Sequence, residues 1–250
     1  MQTSFILRRA IQAILPATLL LAACDKDDKP APPAPDQGRV LISHSAAAAN
    51  TQVTAFVNDQ QVGQLNYGQA SGYLNVNTGT AKLRINSGAN TVANQDLVVA
   101  KDQNYSVFAY SPNATIGSVA LLQVPDDLTV PTTGTAKVRI VHLGVGAATP
   151  VRLSIPSATP TGAPNDLTTD VAFGTASSFV VVNAGPLSLS VTSAATPRTQ
   201  VVAVGDGTGA GTATTKTFES GKIYTVVVRG IAGSSVPTVQ QPQAVIIQNN

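Results

Sequence analysis

Three blocks of this chain occur twice, in the same order. RVLISH at 39–44 returns as KVRIVH at 137–142. YGQASGYLNVNTG at 67–79 returns as FGTASSFVVVNAG at 173–185, and YSVFAY at 105–110 as YTVVVR at 224–229. An order kept across three blocks marks a duplicated unit, so whatever the first copy folds into, the second must fold into as well. Two copies are too few to stack as a solenoid, and each is long enough for a core of its own. The second copy is stretched by two longer loops, SATPTGAPNDL and VGDGTGAGTATTK.

Within a copy the pattern is β. Lys82, Leu83, Arg84 and Ile85 alternate polar with apolar, and in YTVVVR the residues Tyr224, Val226 and Val228 share one face while Thr225, Val227 and Arg229 share the other. Val- and Thr-rich runs such as VTAFVN, AKLRIN and QDLVVA recur at short intervals, separated by Asn, Asp and Gly. Roughly seven or eight such runs per copy suit an antiparallel β-sandwich of immunoglobulin type. The expected fold is all-β, with one module over 38–124, a linker over 125–135 (PDDLTVPTTGT) and a second module over 136–250. The final QAVIIQNN resembles SVALLQVP of the first copy and reads as a closing strand. A polar, proline-containing linker between two complete strand sets predicts modules that fold separately.

Residues 1–23 read as an export signal, with Arg8 and Arg9 ahead of the apolar run AIQAILPATLLLAA. The run is short for a membrane span, and Pro16 interrupts it. It ends in Leu21-Ala22-Ala23-Cys24, which resembles the bacterial lipobox. That resemblance implies cleavage between Ala23 and Cys24 by the lipoprotein export machinery and lipidation of Cys24. The chain has a single Cys, so an internal disulfide is impossible. Each acyl CH₂ buried in a bilayer contributes about 0.8 kcal/mol, so two or three chains on Cys24 anchor almost permanently. Residues 24–37 are charged and Pro-rich and read as a tether, long enough to hold the folded part roughly 35–40 Å from the lipid.

Two signals compete for the membrane face. Asp25 resembles an inner-membrane retention signal of enteric bacteria, which would leave the protein facing the periplasm. Lys26-Asp27-Asp28 resembles a surface-export signal of another Gram-negative group, and the reading preferred here is display on the outer membrane. Of 15 basic residues only Arg8 and Arg9 precede Cys24, so 13 would remain against 13 acidic ones. A neutral chain without a basic run is a poor nucleic-acid ligand, because that binding needs clustered Lys and Arg.

No motif names a reaction. The only two histidines, His44 and His142, hold the same position in the two copies and are the most tempting ligands. Zinc needs three or four donors and neither has companions in sequence, so a strand-end structural role is the plainer reading, with no metal and no cofactor. GDGTGAGT at 205–212 lacks the Lys-Ser/Thr ending of a phosphate loop, and Asp206 alone is thin for calcium. Asp126-Asp127 and Asp166/Asp170 are acidic pairs in a linker and a loop, and Glu219 is the single glutamate. No Gly-x-Ser-x-Gly elbow is present. Tyr67, Tyr73 and Tyr110 sit in or beside strand runs and read as packing residues before sugar platforms.

The repeated blocks resemble a family of β-sandwich repeats of unknown function found in bacterial envelope lipoproteins. Its pattern of an opening Val-Arg-x-x-His, a Phe-Gly segment and a closing Gly-x-x-Tyr-Thr-Val is similar to VRIVH at 138–142, FGTASSF at 173–179 and GKIYTVV at 221–227. The first copy departs from it in VLISH, which lacks the Arg. The resemblance implies architecture and an envelope setting and carries no catalytic residue. The resulting expectation is a non-enzymatic, membrane-anchored envelope protein that binds or spaces an unknown partner. The alternatives are a glycan-binding accessory of polysaccharide uptake and, third, an envelope enzyme.

Overall fold

In the computed structural model the described residues are 33–159, 162–205 and 215–250. The first half supplies β1 (Gln37–Ser45), β2 (Val53–Val57), β3 (Gln60–Leu65), β4 (Leu74–Asn77), β5 (Gly79–Ser87), β6 (Asn90–Val99), β7 (Asn104–Tyr110) and β8 (Ala120–Pro125). These form two four-stranded sheets, ordered β4-β1-β7-β8 and β3-β2-β5-β6. In the outer sheet alternation decides the faces: β2 is buried at every second residue, and Val53, Ala55, Leu83 and Ile85 point into the space between the sheets. Val40, Ile42, Val107 and Ala109 meet them from β1 and β7.

The second half supplies β9 (Thr135–Val145), β10 (Val151–Ile155), β11 (Asn165–Asp166), β12 (Thr175–Ala176), β13 (Val180–Asn183), β14 (Gly185–Leu187), β15 (Ser190–Ser193), β16 (Gln200–Ala203), β17 (Lys216–Phe218), β18 (Ile223–Ile231) and β19 (Gln243–Gln248). One sheet runs β12-β9-β18-β19, with β13 also on β9. Another runs β11-β10-β15-β16, and β14 pairs β17. Ile140, Leu153, Val191, Tyr224 and Val226 fill the core between the two larger sheets. The all-β sandwich expectation therefore holds, and QAVIIQ is the closing strand. One refinement applies to each half: β1 pairs β7 in parallel, and β9 pairs β18 in parallel, while the other ladders are antiparallel. Parallel neighbours need a long crossover, here supplied by the strands of the outer sheet.

A third core lies between the halves. Phe108, Val141, Leu143, Val227 and Val245 cluster there, with Tyr110, Leu122, Val124 and Ile247 packed around them. These are the opposite faces of β7, β8, β9, β18 and β19 from those filling the two sandwich cores. All nine residues of β18 are buried for this reason. Its VVV run loses the polar-apolar alternation that a strand with one wet face would keep. Residues 35–250 consequently form one compact unit. The segment read as a linker begins inside it, since the Asp126 side chain is fully buried.

Candidate functional site

The two inner sheets face each other through equivalent positions. Block alignment pairs Leu41 with Arg139, Tyr110 with Arg229 and Tyr73 with Phe179. Asp126 and Asn249 correspond too: each follows its closing strand, and their amides bond the carbonyls of Asn104 and Ile223, at equivalent places. The seam is thus a quasi-isologous contact made within one chain, and each of its ends holds both members of its equivalent pairs.

At one end the Asp126 carboxylate is enclosed. It pairs with Arg139 and accepts hydrogen bonds from the Tyr73 hydroxyl at 2.5 Å and the Ser106 hydroxyl at 2.7 Å. Arg139 donates from Nε to Thr225 Oγ1 at 3.0 Å and from Nη1 to the Pro125 carbonyl at 3.0 Å, and its guanidinium lies 4.4 Å over the Phe179 ring. Thr225 donates to Asn249 Oδ1 at 2.7 Å, and Asn249 Nδ2 donates to the Tyr73 hydroxyl at 3.1 Å. Burial and the Asp126 charge both push the Tyr73 phenol up, so it stays a hydrogen-bond donor. Each half contributes polar groups, and the buried charges have their hydrogen-bonding capacity filled, the condition under which a buried ion pair is tolerated.

Above this network opens a cleft of about 760 Å³ whose walls include Arg39, Asp102, Asn104, Asp127, Ser178 and Phe179. Arg39 donates from Nε to Asn104 Oδ1 at 2.7 Å, and it is exposed. Asp127 is held down to about 2, first by Lys137 Nζ at 2.6 Å and then by Thr129. The cleft presents both signs of charge and one half-buried aromatic ring.

At the other end lie two matching corners. His44 stands edge-on to Tyr67 and His142 edge-on to Phe173, each with 5.9 Å between centroids. A residue of the opposite half covers each aromatic: Arg229 stacks on Tyr67 at 4.3 Å, and Tyr110 meets Phe173 at 5.9 Å. The glycine after each aromatic adopts a positive φ, +93° at Gly68 and +74° at Gly174, which favours glycine. At Gly68 there is also no room for a side chain, since a Cβ would stand 2.2 Å from Arg229 Nη1. This explains the repeated aromatic-Gly pair, which reads in sequence only as a strand-side motif.

Both imidazoles are fully buried. His44 Nε2 lies 2.9 Å from the Thr51 carbonyl and its Nδ1 accepts from the Ala46 amide at 3.4 Å, whereas neither ring nitrogen of His142 has a partner among the described residues. Burial lowers both pKa values below the ordinary 6.5, with backbone groups opposing in part and the Arg229 charge adding to the effect on His44. Below that value the unfolded chain binds protons that the folded one refuses. Stability is therefore expected to fall as pH drops through 6.5 and to level off only below the folded-state values. Urea midpoints measured from about pH 8 to about pH 5.5 check this, and a flat profile would mean that the rings are solvated.

The remaining sequence candidates separate cleanly. Asp166 bonds Arg152 at 2.8 Å and Arg198 at 2.6 Å, and Asp170 also pairs with Arg152, so these carboxylates fasten a loop to β10. Among the described residues no three of His, Cys, Asp or Glu come together as a metal set. Ala23, Cys24, Lys26, Asp27, Asp28 and Asp206 lie outside the described residues. Sequence reasoning missed Asp126, taken as a linker residue, and with it the network of Arg139 and Asn249, as well as Arg229 at the opposite end. The one available signal is an arginine inside each of the apolar runs KVRIVH and YTVVVR.

Stacked β-sheets with a polar, charge-bearing seam define the class of this protein. Residues 38–150 match a family described as a domain of unknown function (DUF4397), a span that runs from β1 through β9. No curated protein matches the chain. A crystal structure named "putative cell adhesion protein" from Bacteroides eggerthii DSM 20697 aligns over 86% of this chain and 96% of that chain, at 11% identity and a TM-score of 0.25.

Proposed function

We propose that this is a lipid-anchored envelope protein that works by binding or spacing and performs no catalysis. Cys24 is its anchor, Lys26-Asp27-Asp28 its surface-export signal, and residues 136–250 a second copy of the module over 38–124. The observation that carries the reading is how the charged groups are used. Asp126 with Arg139 holds the seam, Asp127 is paired with Lys137 on the cleft wall, and both histidines are shut inside. Such groups fix geometry; they are not placed to move protons on a substrate. Protease shaving of intact cells tests the setting. The wild type is expected to be cleaved, a triple Lys26, Asp27 and Asp28 to Ala variant protected, and Cys24→Ser released from the membrane. Equal protection of the first two would leave the protein facing the periplasm.

The glycan-binding reading has one observation in its favour. The cleft rim offers Arg39, Asn104, Asp102 and Ser178 beside the Phe179 ring, a mixture of donors and acceptors that suits sugar hydroxyls. Titration of envelope oligosaccharides is expected to give saturable binding that weakens at least tenfold in Arg39→Ala. Binding unchanged by that variant, or none at all, would remove the cleft as a sugar site.

A further inference from the structure

We propose that the seam corner formed by Arg229 and Tyr67 binds a small inorganic anion, with chloride as the test ion. Arg229 is 6% exposed, and its Nε and Nη1 have no hydrogen-bond partner among the described residues. Its Nη2 reaches only Gln243 Oε1, at 3.5 Å. None of the ion pairs among the described residues includes Arg229. The Tyr67 hydroxyl beside it is also buried and unpartnered. Three donors thus lie at one corner without an acceptor.

The stacked Tyr67 ring compensates the face of the guanidinium, but the N–H groups point outward in its plane and gain nothing from that ring. The equivalent corner shows that the fold has an uncharged solution here. Tyr110 and Phe173 close that corner without leaving a buried unpartnered donor of their own. His142 behind them lacks a partner too, but a neutral ring is satisfied by water. Water would fill the hydrogen bonds of Arg229 yet leave its charge buried and unbalanced, a strongly unfavourable state. His44 next to it is kept neutral and supplies no compensation. An anion answers both needs at once. Tyr67 is only half-buried, so the corner lies near the surface.

The test is thermal unfolding of the full chain at fixed ionic strength, with sodium chloride exchanged for sodium gluconate, whose anion is too bulky for the corner. The wild type is expected to melt about 2–4 °C higher in chloride, rising with its concentration. Arg229→Met is expected to lose the chloride dependence. Should that variant fail to fold, Tyr67→Phe keeps the stack and removes one donor, and its chloride response is expected to shrink. Crystals grown in bromide should show an anomalous peak within hydrogen-bond distance of Arg229 Nε. Equal midpoints in the two salts, or a chloride response of full size in Arg229→Met or Tyr67→Phe, would overturn the proposal in favour of water or a distant ion.

Discussion

Replacing Asp126 by alanine is expected to destabilise the fold by about 3–5 kcal/mol, because it leaves the Arg139 guanidinium buried without its counter-charge. Arg139 is 2% exposed and its partner carboxylate 0%, so water cannot take over the role. The loss also orphans the Tyr73 and Ser106 hydroxyls, which both donate to that carboxylate. The repeated blocks supply a control. Arg139 occupies the position held by Leu41 in the first half, and Asp126 the position of Asn249 in the second. The double variant Asp126→Asn, Arg139→Leu therefore installs residues each site already tolerates elsewhere, and it is expected to recover most of the lost stability. Urea unfolding of the single and double variants measures both. A cost below about 1 kcal/mol for Asp126→Ala would mean that the seam opens to solvent at that end.

The second large effect concerns the halves themselves. Residues 135–250 expressed alone are expected to show no cooperative unfolding transition. Two complete strand sets on either side of a polar segment argued for separate folding, but the third core lies across that boundary. Cutting it exposes Val141, Leu143, Val227, Val245 and Ile247 and strips Arg139 of Asp126. Phe108→Ala probes the same core in the intact chain. The ring is fully buried, so its removal is expected to cost about 3–5 kcal/mol, a large share of a typical domain's 5–15 kcal/mol. It should lower a single transition shared by both halves. Two separated transitions, or a fragment that melts cooperatively, would show that each sandwich is sufficient by itself.

The sequence by itself determined the strand content, the faces of β18 and the closing strand β19. Hydrophobic alternation, turn residues and repeated blocks are local or self-referential signals, and they survive without knowledge of what packs on what. Only the tertiary structure decided that the inner sheets are covered on both faces. A run such as YTVVVR says which side chains share a face but not whether a second sheet covers that face. For the same reason Asp126 looked like a solvated linker residue. Its partner Arg139 lies on the next strand, and the two meet only because the chain turns inside the seam. The aromatic-Gly pairs at Tyr67-Gly68 and Phe173-Gly174 are visible as a repeat, yet what their rings pack on depends on Arg229 and Tyr110, which arrive from the opposite half. Charge burial and socket shape are properties of two surfaces brought together, so one linear pattern does not contain them.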